Sequence, residues 1–506
     1  MWRPGRSADG KQMSSGRDHA DLMNSDPIAR ESPADALRAT MRGPVLAPED
    51  PGYDGARRVW NGSISKNPAL VARCTGAADV IAALRVAASH DLPVSVRGGG
   101  HSFAGFGTCD DGLVIDLVLM KGIRVDPRTR RVIAQGGVTW GDLDHETAAF
   151  GLATTGGLIS TTGIGGLTLG GGIGWLMRKH GLACDNLVAA DVVTADGQML
   201  HVSGDEHPDL FWALRGGGGN FGIVTAFEYQ LHPVSTVLAG ALICPGERAA
   251  EVMKHYAEWA ADEPDELCTL VEFATAPDAD FIPQAYRGKP AVFVVLCHCG
   301  PRADAEAAVG RLRDVLPVIA DLVEPMPYPA MQSFFDEDYP AGLWSYTKSH
   351  YLDNLDSAAV EALAAAAAAP PGRSFIDLHH LEGAPSRTDP QTAAFDHRKA
   401  RYAVVFGGVC EDEAGFADCR AWAQEHWSAL ASHATGSAYS NFMADADDDA
   451  VRAAWGPEKH ERLIAVKGRY DPANRFRYNH NIPPAICGAG SGDATPMAAR
   501  DGGRTS

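Results

Sequence analysis

Three consecutive glycines beside a histidine are the first residues of this chain whose types and spacing suggest chemistry. The glycines at 98–100 follow an apolar strand-like run, with Arg97 before them and His101 and Ser102 after them. Consecutive glycines accept positive φ and allow several backbone N–H groups to converge on one anion. With a cation and a hydroxyl donor alongside, the run is typical of a phosphate cradle that has an imidazole at its edge. The alternative is a tight turn with a solvent-facing histidine.

Two further glycine-rich segments lie in the same half of the chain. One extends from Gly151 to Gly174, and the other is GGGGNFG at 216–222. A long segment in which many residues have no side chain indicates the close approach of a flat ligand or of another backbone. The dinucleotide GxGxxG pattern is excluded because strand-like sequence, not a helix, follows residues 98–100, and a Walker GK[ST] is absent. Three such segments predict one large, extended cofactor.

The sequence resembles the berberine-bridge-enzyme family of FAD-linked oxidases through four motifs in the same order. They are RGGGHS at 97–102, the glycine segment at 151–174, RGGGGNFGIVT at 215–225 and RYDPANRFRYNHNIPP at 469–484. The resemblance covers about residues 37–485 and is closest to bacterial members that carry a single flavin link. It implies FAD as the cofactor, a small-molecule substrate, and the vanillyl-alcohol-oxidase type of FAD-binding fold.

The resemblance also implies how the flavin is attached. In this family the histidine of the first motif is bonded to the flavin, so His101 is the expected attachment site. Many members carry a second link through a cysteine, but Ile159 occupies that position here and Leu167 stands where the family has His or Asn. We therefore expect one histidyl link and no cysteinyl link, and we interpret Cys184 as a buried thiol. Thr162 would lie beside the flavin carbon that dioxygen attacks, where a small side chain favours an oxidase.

The other cofactor contacts that the resemblance implies lie in the glycine segments and the C-terminal motif. The first segment would contact the diphosphate, the second would pass under the ring and ribose, and the third would complete the adenosine side. Two asparagines would close over the isoalloxazine from the C-terminal motif. The implied residues are Arg97, Gly98, Gly99, Gly100, Ser102, Gly163, Gly165, Gly166, Gly171, Gly172, Gly174, Asn220, Gly222, Val224, Asn479 and Asn481.

Oxidation by hydride loss is easier when a base removes the accompanying proton. Plant-like members of the family place a carboxylate or amide nine residues after a His-Arg pair, and here that position is Phe406, which cannot serve. Tyr439 matches a tyrosine that the family places at the flavin face, and it is our first candidate for the base or for a hydrogen-bond partner. A tyrosine base would need its pKa, ordinarily about 10, to be lowered. The alternative is a core tyrosine with a satisfied hydroxyl.

A histidine pair in a strand-like run supplies the second catalytic candidate. Successive side chains of a strand point to opposite faces, so one of His379 and His380 should face the pocket, and we choose His379. A structural histidine is the alternative. The run Cys297–Cys299 has an intervening histidine and looks like part of a metal site, but in a strand the two cysteines would share a face opposite the histidine. Because no second ligand pair is in view, we expect no metal.

The elements that position these residues fall into two units. Residues 37–234 alternate β-branched runs with glycine turns, which is typical of a sheet-containing domain, here the first part of the FAD-binding domain. Residues 235–437 alternate strand-like and Ala-rich helical runs, which predicts an α+β substrate domain with an antiparallel sheet covered by helices on one face. Residues 438–485 would return to complete the FAD-binding domain. The composition of residues 1–36 and 486–506 predicts disordered tails.

Charge and composition narrow the functional classes. The 64 acidic and 44 basic residues give a net charge of −20, so neither nucleic acid nor an anionic membrane is an expected partner. Ten scattered cysteines and a polar N-terminus without an apolar signal region indicate a cytoplasmic protein. We predict a monomeric or homodimeric oxidase that takes a hydride from a small alcohol or amine and passes its electrons to dioxygen, giving hydrogen peroxide. The alternatives are a dehydrogenase with another acceptor on the same fold and a non-catalytic flavin-binding protein.

Overall fold

A computed structural model describes residues 31–485 of the chain. Residues 1–30 of the tail predicted at 1–36, and the whole tail predicted at 486–506, lie outside the described residues. Helix α1 (Pro33–Thr40) begins before the boundary at residue 37 that composition suggested. Two local signals start it early: the Ser32 side chain accepts a hydrogen bond from the Asp35 backbone N–H, and proline at the first helical position already has the required φ.

A small mixed sheet forms the first layer of the N-terminal unit. Its strand order is β1-β2-β4-β3, with β2, β4 and β3 parallel and β1 antiparallel to β2. Apolar side chains of α1 and α3 bury this sheet in one core. The helix boundaries of α3 are those that its apolar periodicity predicts. The elements are β1 (Val45–Leu46), α2 (Tyr53–Arg57), β2 (Leu70–Arg73), α3 (Ala77–Ser89), β3 (Val94–Arg97) and β4 (Leu113–Asp116).

An antiparallel five-stranded sheet forms the second layer, in the order β5-β6-β10-β8-β9. A two-stranded ribbon pairs β7 with β11. The elements are β5 (Ile123–Asp126), β6 (Arg131–Gln135), α4 (Trp140–Ala148), β7 (Leu152–Ala153), α5 (Ile164–Leu169), α6 (Met177–His180), β8 (Leu187–Val193), β9 (Met199–Ser203), α7 (Pro208–Leu214), β10 (Ile223–Gln230) and β11 (His232–Pro233).

The third sheet has eight antiparallel strands and carries its longer helices on one face. Its order is β15-β12-β14-β13-β18-β19-β17, with β16 also paired to β12. This arrangement confirms the predicted α+β class with a helix-covered antiparallel sheet. The elements are β12 (Thr236–Pro245), α8 (Ala249–Ala260), β13 (Leu267–Thr275), β14 (Pro290–His298), α9 (Arg302–Val315), β15 (Ala320–Asp321), β16 (Glu324–Pro327), α10 (Tyr328–Gln332), β17 (Trp344–Leu352), α11 (Ser357–Ala366), β18 (Phe375–His380), α12 (Ala384–Arg387), β19 (Tyr402–Cys410) and α13 (Glu413–Leu430).

Strand alternation decides which residues of the third sheet face the N-terminal unit. In β13, Val271 and Phe273 pack in the core under helices α8, α11 and α13, whereas Leu270 packs with Trp175 of the N-terminal unit. The chain then crosses back, because Trp455 and Leu463 of α14 (Asp448–Tyr470) belong to the core of the five-stranded sheet. Among residues 31–485, no helix is both long and apolar enough to cross a membrane.

Candidate active site

A cavity of about 330 Å³ lies between the two sheets of the N-terminal unit and the C-terminal segment. Its volume is in the usual range for small-molecule sites. Most of the cofactor-binding residues expected from the sequence form its walls: Arg97, Gly98, Gly99, Gly100, His101, Ser102, Thr162, Gly163, Gly165, Gly166, Asn220, Gly222, Val224 and Asn479.

Arg97 lines the cavity, but its guanidinium is held by protein acceptors, which corrects its expected role as a charged diphosphate contact. Its guanidinium binds the buried carboxylate of Asp116 through two N–H groups and also donates to the carbonyl oxygens of Ala56 and Arg58. Both side chains are buried. A planar guanidinium satisfies this set of acceptors well, so Arg97 anchors the base of the glycine loop to β4 and does not present its charge to a ligand.

The glycine loops are held together by direct backbone contact. A Cβ added to Gly99 would lie 2.3 Å from the backbone nitrogen of Gly163, and the reverse substitution is equally close. At these two positions glycine is needed because another backbone is present. Gly166 and Gly219 differ: both line the cavity, and no protein atom lies within 4 Å of an added Cβ at either one. These two glycines leave open space where a ligand could approach the main chain.

Four expected contacts do not line the cavity, namely Gly171, Gly172, Gly174 and Asn481. The three glycines instead accommodate neighbouring protein. An added Cβ would lie 2.6 Å from the Phe395 ring at Gly171, 2.3 Å from the Ala183 side chain at Gly172 and 2.1 Å from the Gly156 carbonyl at Gly174. The sequence pattern could not separate glycines that admit a ligand from glycines that admit another part of the chain.

His101 stands at the cavity wall between two hydroxyl groups and an indole. Its Nε2 lies 3.1 Å from the Thr161 hydroxyl and its Nδ1 3.4 Å from the Thr162 hydroxyl. The Trp60 ring stacks on the imidazole with ring centroids 5.1 Å apart. Burial lowers the pKa of His101 to about 4, so the ring is neutral at neutral pH and one nitrogen keeps a free lone pair. This arrangement orients a nucleophilic imidazole.

The C-terminal segment closes one side of the cavity through amide hydrogen bonds. Asn220 donates to the His480 carbonyl at 3.2 Å and accepts from the Ile482 N–H at 3.0 Å, so its side chain holds the segment in place. Asn479 donates to the Gly219 carbonyl at 3.2 Å. The Asn479 Oδ1 atom is buried and has no partner among the described residues, and it remains an available acceptor at the cavity wall.

Tyr439 lies in the cavity wall with its hydroxyl oxygen held by two donors. The Gly172 backbone N–H donates to it at 2.7 Å and the Asn441 amide at 2.8 Å. Burial raises the pKa of the phenol well above its ordinary value, so Tyr439 is neutral and its own O–H is free to donate. The lowered pKa that a tyrosine base would need is therefore not found in this structure, which favours the alternative role as a hydrogen-bond partner.

His379 lies behind the cavity and does not line it. Its imidazole is 1% exposed and stacks on the Phe442 ring, which does line the cavity, at a centroid distance of 5.3 Å. Burial lowers its pKa to about 3, and its Nε2 has no partner within the described part of the chain. Phe406, at the position of the plant-like base, is buried in the core under the helices.

Sequence reasoning missed several residues of the site. Trp60, Phe106 and His480 come from three distant parts of the chain, and the His480 ring meets the Phe106 ring edge-on at 5.0 Å. No local pattern identifies Trp60, which becomes relevant only through its contact with His101. His480, in contrast, stands between Asn479 and Asn481 in the C-terminal motif, and Phe106 follows His101 by five residues. Asn441 likewise is two residues from Tyr439, and that short polar spacing was a usable signal.

Two family models match the chain. One, described as FAD binding domain, matches residues 68–203, and the other, described as berberine and berberine like, matches residues 438–483. Over 472 residues the chain is 33% identical to (R)-6-hydroxynicotine oxidase of Paenarthrobacter nicotinovorans, which covers 89% of this chain and 98% of that enzyme. It is 31% identical over 431 residues to an FAD-linked oxidoreductase of Dictyostelium discoideum, and the match covers 84% of this chain and 91% of that protein.

Solved structures show the same fold. The crystal structure of 6-hydroxy-D-nicotine oxidase from Arthrobacter nicotinovorans superimposes with a TM-score of 0.79 at 32% identity, over 87% of this chain and 98% of that one. Xylooligosaccharide oxidase from Myceliophthora thermophila superimposes with a TM-score of 0.76 at 23% identity, over 90% of this chain and 100% of that one. Fold and site together define an FAD-linked oxidoreductase. Within that class, the chain belongs to the berberine bridge enzyme-like family, as the sequence motifs predicted.

The residues of the cavity fit the FAD that the family implies. Gly166 and Gly219 leave main chain open to a flat or phosphorylated ligand, and the unpartnered Asn479 oxygen can accept a hydrogen bond from a ring N–H. His101 would lie against the flavin end, because the residues around it are aromatic or small and uncharged. Ile159 and Leu167 also line the cavity and contribute only apolar surface there.

Proposed function

We propose that this chain is an oxidase whose FAD is covalently attached through His101 alone. When bound, FAD accepts a hydride from the substrate and gives the electrons to dioxygen, forming hydrogen peroxide. The substrate would be a small alcohol or amine, and the protein a monomer or homodimer. The observation that carries the proposal is the neutral His101 imidazole in the cavity wall, with a hydroxyl beside each nitrogen and Trp60 on its face.

A single link is proposed because the second position of attachment is apolar. Ile159 has no nucleophilic atom, and Cys184 is fully buried with a pKa that burial raises above its ordinary value, so its thiolate is not available. Thr162, beside His101, keeps the wall small where dioxygen would approach. These features favour the oxidase over a dehydrogenase that uses another acceptor.

Tyr439 is proposed to orient the substrate as a hydrogen-bond donor. Its oxygen already accepts from Gly172 and Asn441, so its own O–H remains available to donate to a substrate group in the cavity. His379 is proposed as a secondary contributor that acts through Phe442, since the two rings stack and only Phe442 reaches the cavity.

The attachment is tested by denaturing the purified protein in acid. The wild-type pellet should stay yellow and its gel band should fluoresce, whereas His101→Ala should release its flavin into the supernatant. His145→Ala, on the exposed side of α4, is the matched control and should behave as wild type. Free flavin from the wild-type pellet would contradict the covalent link.

The oxidase activity is tested by peroxide release across a panel of small alcohols and amines, followed by stopped-flow mixing of reduced enzyme with air. An oxidase reoxidises rapidly. Flavin that stays reduced for minutes would favour the dehydrogenase alternative, and the absence of reduction by any compound would favour a non-catalytic flavin protein. With an active substrate, Tyr439→Phe should lower kcat/KM by about 10- to 100-fold, since one oriented donor is lost.

A further inference from the structure

Two aromatic rings hold Tyr439 in the cavity wall, so its hydroxyl has a fixed position. The Tyr439 ring meets Phe395 at a centroid distance of 6.0 Å and Phe442 at 4.9 Å, edge-on in both cases. The tyrosine side chain is buried. Because the ring is clamped, the groups around its oxygen decide which hydrogen bonds the phenol can make.

Asn441 contacts the Tyr439 oxygen with an amide whose orientation is set by a second contact. The Asn441 Nδ2 atom lies 2.8 Å from the Tyr439 oxygen and 3.1 Å from the Leu167 carbonyl oxygen. A carbonyl oxygen can only accept, so the amide must present its NH₂ group there. Each of the two amide hydrogens then serves one contact, and the Tyr439 oxygen must accept from Asn441.

Gly170 provides the space for the other side of this amide. An added Cβ at Gly170 would lie 2.1 Å from the Asn441 Oδ1 atom. The φ of Gly170 is −91°, which any residue adopts, so its missing side chain serves space and not backbone conformation. Asn441, Leu167 and Gly170 all line the cavity, so this arrangement belongs to the cavity wall.

The second hydrogen bond to Tyr439 has the same direction. The Gly172 backbone N–H donates to the phenol oxygen at 2.7 Å, and a backbone N–H cannot accept. Gly171 and Gly172 have φ values of +126° and +94°, which glycine adopts readily. Donors therefore occupy the lone pairs of the phenol oxygen, and no residue between 31 and 485 accepts its proton. The hydrogen bond left to Tyr439 is one that it donates.

We propose that Asn441 is a positioning residue that restricts Tyr439 to the donor role, so that the cavity binds its substrate through a hydrogen-bond acceptor. This inference rests on the proposed function and narrows its substrate class. A hydroxyl oxygen, a carbonyl oxygen or the lone pair of a ring nitrogen can accept the Tyr439 proton, whereas an ammonium group or a hydrocarbon cannot. A buried hydroxyl proton without an acceptor is unfavourable, so a ligand group that accepts it is preferred.

The test compares two probes of the same shape that differ in one acceptor. Acetophenone has a carbonyl oxygen where α-methylstyrene has a methylene group, and neither carries an alcohol or an amine. Flavin-loaded protein is titrated with each probe and followed by flavin absorbance. The ratio of the two dissociation constants is compared between variants, so that the difference in hydrophobicity of the probes cancels. Tyr439→Phe should shift this ratio about 3- to 10-fold against acetophenone, since one neutral hydrogen bond is lost.

Asn441→Asp tests the positioning role because it keeps the shape of the side chain and reverses its polarity. Whether ionised or protonated, the new carboxyl offers a lone pair to Tyr439, so the phenol donates to it and no longer to the ligand. We expect the same shift of about 3- to 10-fold as in Tyr439→Phe. Gly170→Ala displaces the amide without changing it and should shift the ratio at least about twofold in the same direction. Asn354→Asp, the same exchange on an exposed loop, is the control and should leave the ratio unchanged.

The carbonyl stretch of bound acetophenone supplies a readout that a purely structural change would not imitate. With acetophenone labelled by ¹³C at the carbonyl, the infrared band of the wild-type complex should lie at lower frequency than the band of the Tyr439→Phe and Asn441→Asp complexes. Equal frequencies in wild type and Tyr439→Phe would overturn the proposal. So would failure of the wild type to bind acetophenone, or a ratio in Asn441→Asp within about twofold of the wild-type value.

A folding defect in the carboxyl variant does not remove the test. Should Asn441→Asp fail to fold, as judged from its flavin content and melting temperature, Gly170→Ala decides, and an unchanged ratio in that variant would overturn the positioning role. Because no oxidation is needed, absence of oxidase activity would contradict the proposed function and leave this binding result independent.

Discussion

The contact between Gly99 and Gly163 makes a quantitative prediction about how the cavity is built. An alanine Cβ at position 99 would lie 2.3 Å from the Gly163 nitrogen and 2.6 Å from its Cα. Favourable contact between such atoms needs about 3.5 Å, so the methyl group is about 1.2 Å too close. Both obstructing atoms are backbone, which means that no side-chain rotation can relieve the overlap and the two loops must separate.

We expect Gly99→Ala to lower the free energy of unfolding by about 3 kcal/mol, the upper end of the range for overpacked sites. It should also lower flavin content, since His101 and Thr162 sit on the two loops that are forced apart. Urea unfolding followed by intrinsic fluorescence measures the first effect, and the ratio of visible to ultraviolet absorbance measures the second.

Gly166→Ala provides the matched comparison. Gly166 lies inside helix α5, with no protein atom within 4 Å of an added Cβ, and replacing glycine by alanine in a helix stabilises by about 0.5–1 kcal/mol. We expect unchanged or increased stability and reduced flavin content, because the new methyl occupies cavity space. If Gly99→Ala is as stable as the wild type, the backbone contact is refuted. If Gly166→Ala keeps its full flavin content, the segment around Gly166 does not contact the cofactor.

Three further outcomes are expected. Arg97→Met should lower the free energy of unfolding by roughly 3 kcal/mol, because it leaves the buried Asp116 carboxylate without its main partner, and urea unfolding measures this. Burial lowers the pKa of His379 to about 3, against about 6.5 when unfolded, so the unfolded state binds an extra proton between these values. Stability should therefore fall as pH drops below about 6.5, and His379→Phe should remove up to about 1.4 kcal/mol per pH unit from that slope. Trp60→Ala should reduce the covalently retained fraction of flavin at unchanged total flavin, since the stack that orients the imidazole is lost, and acid precipitation measures it; an unchanged fraction would contradict the orienting role.

Local patterns predicted the regular elements well. Apolar spacing predicts a helix at 77–89 and strands at 291–299 and 403–409. Helix α3 has those bounds, and strands β14 and β19 differ from the predicted runs by one residue at each end. These elements carry strong apolar periodicity, which depends only on neighbours in sequence. The segment Ile164–Leu169 was not predicted as a helix, because its glycines disfavour one, and packing against the five-stranded sheet overrides that preference.

The amino-acid sequence by itself predicted the class of cofactor and most of the glycines and asparagines that line the cavity. The motifs at 97–102, 151–174 and 469–484 are contiguous, and their backbone requirements are visible in the residue types. Conformational freedom at 98–100 and a neighbouring histidine are local properties, and local properties can be read along the chain.

Only the tertiary structure decided which groups meet. The Arg97 guanidinium binds the Asp116 carboxylate, and the Phe395 ring lies against Gly171. Glu272 lies opposite Asp377, which is 105 residues away in sequence. Each of these contacts joins residues from different strands or segments, so its geometry depends on sheet order and register, not on neighbouring residue types. Glu272 and Asp377 become neighbours only because β13 lies beside β18 in the folded sheet.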